Sequence, residues 1–190
     1  MDDKLSFSIH ILSTANRAYQ QSALISRCFL SRDPTNLKLA FCTYVRPILE
    51  YASQIWSPHL QKDIVTKEKV QRRFTKSIST LHCLPYSVRR SSLDIPSLAD
   101  RRIQIDLCTV YRILHRLIFI EPSLFFSQRL ASITRGHPFT LCKPTVRLNS
   151  SKFAFNARTI DPWNSLPLAV VSAETLPGFK AKLKLLLSQS

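Results

Sequence analysis

The sequence predicts a mainly α protein: a helical bundle over residues 1–118, a loop-rich connector over 119–150, and a small helical part over 151–190 that packs on the bundle. Three observations support this fold class. Only 2 of the 190 residues are glycine, whereas the tight turns of an all-β protein usually require many. Apolar residues recur at helical spacing along several long stretches. A hydrophobic content of 45% with 21% charged residues is typical of a globular protein.

The first two predicted helices cover residues 7–30 and 35–56. The segment SRDP between them ends the first helix, because proline suits a helix start better than a helix interior. Pro47 lies within the second stretch. We therefore expect a kink there, or a break at which Pro47 opens a new helical turn.

The third predicted helix, over residues 61–80, has two distinct faces. Its apolar face carries Val70, Phe74, Ile78 and Leu81. Its basic face carries Lys62, Lys69, Arg73 and Lys76, with Arg72 on the flank. A short helix over 87–93 follows.

The fourth long helix covers residues 97–118, and Ser97 with Asp100 forms a capping-type start. Its predicted core stripe consists of Ile103, Leu107, Val110, Leu114 and Leu117. The opposite side carries Arg101, Arg112 and Arg116. Beyond it we predict two short strands, over 140–142 and 146–148, and two further helices, over 152–160 and 177–187.

The charge balance is the main functional signal in the composition. The 27 lysine and arginine residues against 12 acidic ones give a formal net charge of +15. Such a surface attracts polyanions, nucleic acid first and anionic membrane second. A basic protein without a polyanionic ligand is the alternative.

The cysteine pattern favours free thiols. The chain has five cysteines, none in Cys-x-x-Cys spacing. The N-terminal residues lack the basic start of a signal peptide, and no apolar run approaches the ~18 residues that span a bilayer. We therefore expect a cytoplasmic or nuclear protein without a membrane partner.

Six sequence blocks extend over most of the chain. They are TYVRPILEYASQIW (43–56), EKVQRRFTK (68–76), DIPSLADRR (94–102), YRILH (111–115), TRGHPFTL (134–141) and WNSLP (163–167). In composition and order they resemble the region after the polymerase palm in reverse transcriptases of non-LTR (LINE-type) retrotransposons. The resemblance implies a thumb-like bundle followed by the C-terminal extension of an RNA-directed DNA polymerase. In a full-length relative the palm domain would lie upstream.

The sequence does not show the catalytic carboxylates that such a polymerase needs. Polymerases hold two divalent metals on carboxylates, and reverse transcriptases place them on an aromatic-x-Asp-Asp hairpin. The pair Asp2 and Asp3 is preceded only by Met1, so we interpret it as a solvated N-terminal segment. We expect no catalytic residue, metal, cofactor or small-molecule substrate, and no enzymatic activity of the chain on its own.

The expected partner is the phosphate backbone of an RNA–DNA hybrid or a DNA duplex. A face without acids suits that partner, since each cation releases condensed counterions. The candidate contacts are Lys62, Lys69, Arg72, Arg73, Lys76, Arg101, Arg112 and Arg116. A merely solvated helix face is the competing interpretation. Two alternatives for the whole chain are a helical protein-interaction module and an inert remnant of a retrotransposon.

The aromatic residues of the predicted helices favour core packing over base stacking. This applies to Tyr44, Tyr51, Trp56, Phe74 and Tyr111. We expect Trp163 to anchor the C-terminal part, and His115 to pack beside the core. The sequence leaves His137 open between a structural role and a phosphate contact.

Three charged positions call for local explanations. Glu50 lies in an apolar stretch and should pair with Arg46, four residues earlier. Where relatives usually carry an apolar residue before EKVQRRF, this chain has Lys67, whose charge we expect to reach the edge of the core. Arg116 stands where relatives often have glycine. The two departures from the family pattern fit a copy that drifts without strong selection.

Overall fold

The computed structural model describes residues 7–127, 139–145 and 149–188. Within these ranges the regular elements are helices, which confirms the predicted mainly α fold, and no strand forms. The chain divides into two compact units, Met1–Arg101 and Arg102–Ser190. Each unit has its own apolar core.

The first unit is built from the helices that precede the division. They are α1 (Ser8–Cys28), α2 (Pro34–Ala40), a π-helical segment (Phe41–Val45), α3 (Arg46–Glu50), α4 (Ser53–Trp56), α5 (Gln61–Lys76), α6 (Tyr86–Ser92) and the start of α7 (Leu98–Leu114). Helix α1 packs along α5 and against the π-helical segment and α3. The helices over 7–30, 61–80, 87–93 and 97–118 are therefore confirmed, with ends shifted by a few residues.

The core of the first unit forms where the apolar face of α5 meets α1 and the π-helical segment. Val70 and Ile78 are fully buried, and the Phe74 ring stacks on Phe41 with 4.7 Å between centroids. The Ser8 hydroxyl donates to the buried carboxylate of Asp63 at 2.8 Å. The predicted apolar face of the third helix is thus the face that packs.

Pro47 breaks the second predicted helix in the expected way. It stands at the start of α3, where its missing N–H and fixed φ are tolerated. The turn before it widens into the π-helical segment. The helix then stops at Glu50, and Ala52 takes a left-handed φ of 52° before α4.

This irregular geometry overturns two of the core assignments. Tyr44 lies in the π-helical segment and is 53% exposed, and Tyr51 follows the end of α3 and is 81% exposed. A uniform 3.6-residue period, on which the prediction rested, does not hold through residues 41–52. Trp56 and Phe74, in contrast, are buried as predicted.

The second unit contains the rest of α7 and several short helices. They are α8 (Asn149–Lys152), α9 (Phe155–Arg158), α10 (Ile160–Asn164), α11 (Leu168–Val171) and α12 (Leu176–Ser188), preceded by a 3₁₀ turn at Pro122–Leu124. The predicted helix over 152–160 is thus divided, and the last predicted helix is confirmed. Of the predicted α7 stripe, Leu107, Val110 and Leu114 are buried, whereas Ile103 and Leu117 are exposed.

Two further predictions differ from the structure. The units divide at Arg101–Arg102, not after residue 118, because the apolar residues of α7 from Leu107 onward belong to the core of the second unit. The strand over 140–142 does not form. Leu141 forms only an isolated bridge, beside the hydrogen bond from the Cys142 N–H to the Ser127 carbonyl at 2.8 Å. The amide side chain of Asn164 occupies the N–H and the carbonyl of Leu141 itself, each at 2.9 Å. The strand over 146–148 lies outside the described residues.

None of the helices in the described ranges is both long enough and apolar enough to cross a bilayer.

Candidate nucleic-acid interface

The outer face of α5 carries the most pronounced group of free cations in the predicted set. Its five basic side chains are all exposed, while Val70 and Phe74 on the other face are buried. The five are Lys62, Lys69, Arg72, Arg73 and Lys76. Within the described part of the chain, none of the five has a carboxylate partner within 4.0 Å. The structure therefore brings together on one helix the residues that the sequence predicted for this face.

The acids of α5 point away from the basic face. The Asp63 carboxylate is buried and accepts from Ser8. Glu68 accepts a hydrogen bond from the Tyr86 hydroxyl and, at 3.0 Å, from the backbone N–H of Leu98 at the start of α7. Because both acids are occupied inside the unit, the outer face keeps its positive charge.

Aromatic rings flank two of these arginines. The guanidinium carbon of Arg72 lies 4.9 Å from the Tyr86 ring centroid, and that of Arg73 lies 5.6 Å from the Tyr19 centroid. Such cation–π contacts restrict the side chains while leaving their donors available. Arg73 and Lys76 also occupy the last turn of α5, where the helix dipole favours cations.

The second predicted stripe is not a set of free cations. Arg101 forms a bidentate pair with Glu50, with Nε–Oε1 and Nη2–Oε2 distances of 2.9 and 2.8 Å. Arg46 lies farther from the same carboxylate, at 3.8 Å, so the expected Glu50–Arg46 pair is present but secondary. Arg112 and Arg116 are exposed and belong to the second unit, whereas Arg101 belongs to the first.

Arg116 closes α7 in a conformation that glycine adopts most easily. Its φ is 52°, its N–H bonds the Ile113 carbonyl at 3.1 Å, and the next N–H, of Leu117, bonds the Arg112 carbonyl at 2.8 Å. This is the Schellman arrangement of a helix C-terminus. Glycine adopts this left-handed backbone conformation without strain, whereas Arg116 adopts it with some strain.

The expectation that the charge of Lys67 reaches the edge of the core is wrong. The side chain is fully buried. Its ammonium donates to the Leu49 carbonyl and lies 3.4 Å from the Trp56 ring centroid. A backbone oxygen and an indole face thus replace water around this cation. Lys67, which directly precedes the EKVQRRF block, therefore connects this part of α5 to the TYVRPILEYASQIW block.

Further contacts of the first unit join the same sequence blocks. Gln71 is fully buried and donates to the Pro96 carbonyl at 3.0 Å and to the Tyr86 hydroxyl at 3.1 Å. The predicted cap of α7 also forms, since the Asp100 N–H donates to the Ser97 hydroxyl at 3.0 Å. The blocks around Glu50, Glu68 and Ser97 are therefore one hydrogen-bonded assembly.

Tyr86 is a functional candidate that the sequence analysis missed. Burial, reinforced by its hydrogen bond to Glu68, raises the pKa of its hydroxyl well above the usual value. Arg89 and Arg90, which follow it on α6, place their guanidinium carbons 5.6 and 5.8 Å from its ring centroid. The adjacent pair of arginines just after Pro85 and Tyr86 was the available sequence signal.

The later blocks meet in the second unit. Trp163 is fully buried and donates to the Phe139 carbonyl at 2.9 Å, so the predicted anchor is in place within this unit. The Tyr111 ring stacks on Phe179 at 4.5 Å, and its hydroxyl donates to the Ala173 carbonyl at 2.5 Å. The YRILH block thus contacts α12 through Phe179, and the WNSLP block contacts the described end of the TRGHPFTL block at Phe139.

His115 packs as predicted, at the end of α7. Its ring stacks on Tyr111 at 4.0 Å and lies 5.4 Å from Phe139. Burial lowers the pKa of its imidazole, partly offset by a hydrogen bond with the Val171 backbone. His137, like Asp2 and Asp3, lies outside the described residues.

The remaining chemistry of the described part is sparse. None of the five cysteines, all within the described ranges, forms a disulfide, so they are thiols as predicted. No group of three or more His, Cys, Asp or Glu side chains in the described ranges could hold a metal ion.

Comparison with protein-family models, with curated proteins and with solved structures yields no match for this chain.

Proposed function

We propose that this chain is the non-catalytic C-terminal part of a non-LTR retrotransposon reverse transcriptase, and that it grips a nucleic-acid duplex through the phosphate backbone. The observation that carries the proposal is the outer face of α5, where five exposed cations have no carboxylate partner in the described part of the chain. The six sequence blocks support the family assignment, and the net charge of +15 supports the polyanionic partner.

The proposed contact is electrostatic and not sequence-specific. Lysine and arginine side chains on a single helix face match a phosphate backbone, which fixes position without reporting base identity. A thumb that holds a primer–template duplex needs this property because it must accept any sequence. The ligand would be an RNA–DNA hybrid or a DNA duplex.

The test replaces Lys62, Lys69, Arg73 and Lys76 together by glutamine. Each lost phosphate contact lowers the slope of log affinity against log salt by ~0.9 for duplex DNA, so the slope should fall by about 3–4. Binding should weaken alike for unrelated sequences. Glutamine preserves helix propensity, and circular dichroism checks that the fold survives.

A matched control removes the same charge elsewhere. Replacing the exposed Arg27, Arg32, Lys180 and Lys184 by glutamine changes net charge equally but leaves the α5 face intact. The control should keep most of the wild-type slope. Equal losses in both variants would refute a localised interface, and an unchanged slope in the folded α5 variant would refute the α5 face itself.

The absence of wild-type binding at ~50 mM salt, where phosphate contacts are strong, would favour the protein-interaction module or the inert remnant instead. The proposal also requires that the purified chain extends no primer. Magnesium-dependent nucleotide incorporation that is abolished by a substitution in this chain would contradict it.

A further inference from the structure

Arg89 on α6 is a nearly buried cation without an anionic partner. The residue is 4% exposed. Its Nε is enclosed and bonds nothing in the described structure, and its Nη2 reaches only the Arg72 carbonyl at 3.5 Å. A buried guanidinium normally pairs with a carboxylate, since removing its hydration is costly. The first unit leaves this requirement unmet.

The surroundings of Arg89 add positive charge. The guanidinium carbons of Arg72, Arg89 and Arg90 lie 4.9, 5.6 and 5.8 Å from the centroid of the same Tyr86 ring. Arg72 is exposed and the Arg90 side chain is 30% exposed, so the cluster reaches solvent. In the described ranges only Arg90 of these three has a carboxylate partner, Asp100 at 3.4 Å, so the cluster keeps a net positive charge.

The two nearby carboxylates do not neutralise Arg72 or Arg89. Glu68 accepts from the Tyr86 hydroxyl and the Leu98 N–H. Asp100 caps α7 through Ser97 and lies 3.4 Å from Arg90. In the described ranges no acid lies within ion-pair distance of Arg72 or Arg89, so an external anion has donors available.

We propose that Arg72, Arg89 and Arg90 form a binding site for one phosphate-type oxyanion at the junction of α5 and α6, with Arg89 as its buried anchor. Arginine suits this ligand because its planar donors match phosphate oxygens. The Tyr86 ring, fixed by Glu68 and Gln71, holds the guanidinium groups in place. The identification of the natural ligand as a backbone phosphate rests on the proposed function. The existence of the anion site does not depend on that function.

The primary experiment observes the arginine Nε–Hε resonances of the full chain by NMR during titration with inorganic phosphate. Sodium chloride at matched ionic strength is the reference. The Arg89 Hε signal should move saturably with phosphate and not with chloride, because an anion bound at the Arg89 Nη groups changes the environment of the enclosed Nε–H on the same guanidinium. The exposed Arg112 of the second unit is the internal control. A phosphate titration that leaves the Arg89 signal unchanged overturns the proposal.

Two variants strengthen the test. Arg72→Lys changes an exposed residue and should leave the fold intact, while lowering phosphate affinity by about tenfold through loss of a charge-assisted hydrogen bond. Arg89→Lys should do the same or more; if it does not fold, the wild-type titration and Arg72→Lys still decide. Wild-type phosphate affinity in a folded Arg72→Lys chain would overturn the assignment of Arg72.

Competition distinguishes the source of the anion. An RNA–DNA hybrid that displaces phosphate from Arg89 supports a backbone ligand. Phosphate binding that the hybrid leaves undisturbed supports the anion site and overturns its use by nucleic acid. The α5 glutamine variant retains Arg72, Arg89 and Arg90, so a failure of the proposed function and a failure of this site give different results.

Discussion

Replacing Arg101 by methionine should destabilise the first unit and leave nucleic-acid binding almost unchanged. The side chain was predicted as a phosphate contact, yet its two nitrogens bond both oxygens of Glu50 at 2.9 and 2.8 Å. The Glu50 side chain is only 13% exposed, against 25% for Arg101. Truncation leaves a largely buried carboxylate with Arg46 alone, at 3.8 Å.

The expected magnitude lies between two limits. A solvent-exposed ion pair contributes up to about 1 kcal/mol, and removing one partner of a fully buried pair costs about 3–5 kcal/mol. The partial burial of this pair places the expected loss from Arg101→Met at about 2–3 kcal/mol. Glu50→Gln should cost somewhat less, since the amide oxygen still accepts from Arg101. The coupling between the two substitutions should be about 1.5–2 kcal/mol, because each removes the ion pair between Glu50 and Arg101.

The assay is a double-mutant cycle by urea denaturation. Circular dichroism and tryptophan fluorescence should be recorded together, since the two compact units need not unfold as one. A coupling energy under ~0.5 kcal/mol would refute the structural role of the pair. In a folded Arg101→Met chain, a salt slope reduced by ~0.9 would instead restore Arg101 as a phosphate contact.

Two further substitutions test the packing and the backbone. Phe74→Ala should lower the free energy of unfolding by about 3–5 kcal/mol in urea denaturation, because the ring is 2% exposed and stacks on Phe41. Tyr44→Ala, at a 53% exposed position, should lower it by less than ~1 kcal/mol. Similar losses for the two variants would contradict the packing of α5. Arg116→Gly should stabilise the chain by up to about 1 kcal/mol, because glycine relieves the left-handed φ of 52°; a clear destabilisation would show that the Arg116 side chain outweighs the strain.

Helical periodicity was enough to predict α5 and the division between its buried apolar face and its exposed basic face. Val70 and Phe74 on one side and the lysines on the other follow from a regular 3.6-residue period. The same argument failed between residues 41 and 52. There the π-helical segment and the early end of α3 rotate Tyr44 and Tyr51 out of the core. Pro47 correctly predicted a break in the helix. Which side chains then face the core depends on how the turn before Pro47 widens.

The buried polar groups could not be predicted because their partners are distant in sequence. Lys67 was correctly placed on the core side, but the Leu49 carbonyl that accepts a hydrogen bond from its ammonium is 18 residues away. Arg89 gave no periodic signal, since α6 is short and its burial depends on α5. The chemistry of these side chains indicates that each needs a hydrogen-bond or ionic partner when it is buried. Only the fold determines whether such a partner is present.

Several bonds that join the sequence blocks end on the backbone of the receiving block. Glu68 accepts from the Leu98 N–H, Gln71 donates to the Pro96 carbonyl, and Trp163 donates to the Phe139 carbonyl. A main-chain oxygen persists whatever side chain its residue carries, and so does every N–H except that of proline. Pairwise covariation would therefore miss these contacts: the donating or accepting side chain is constrained, while its partner position stays free to change residue.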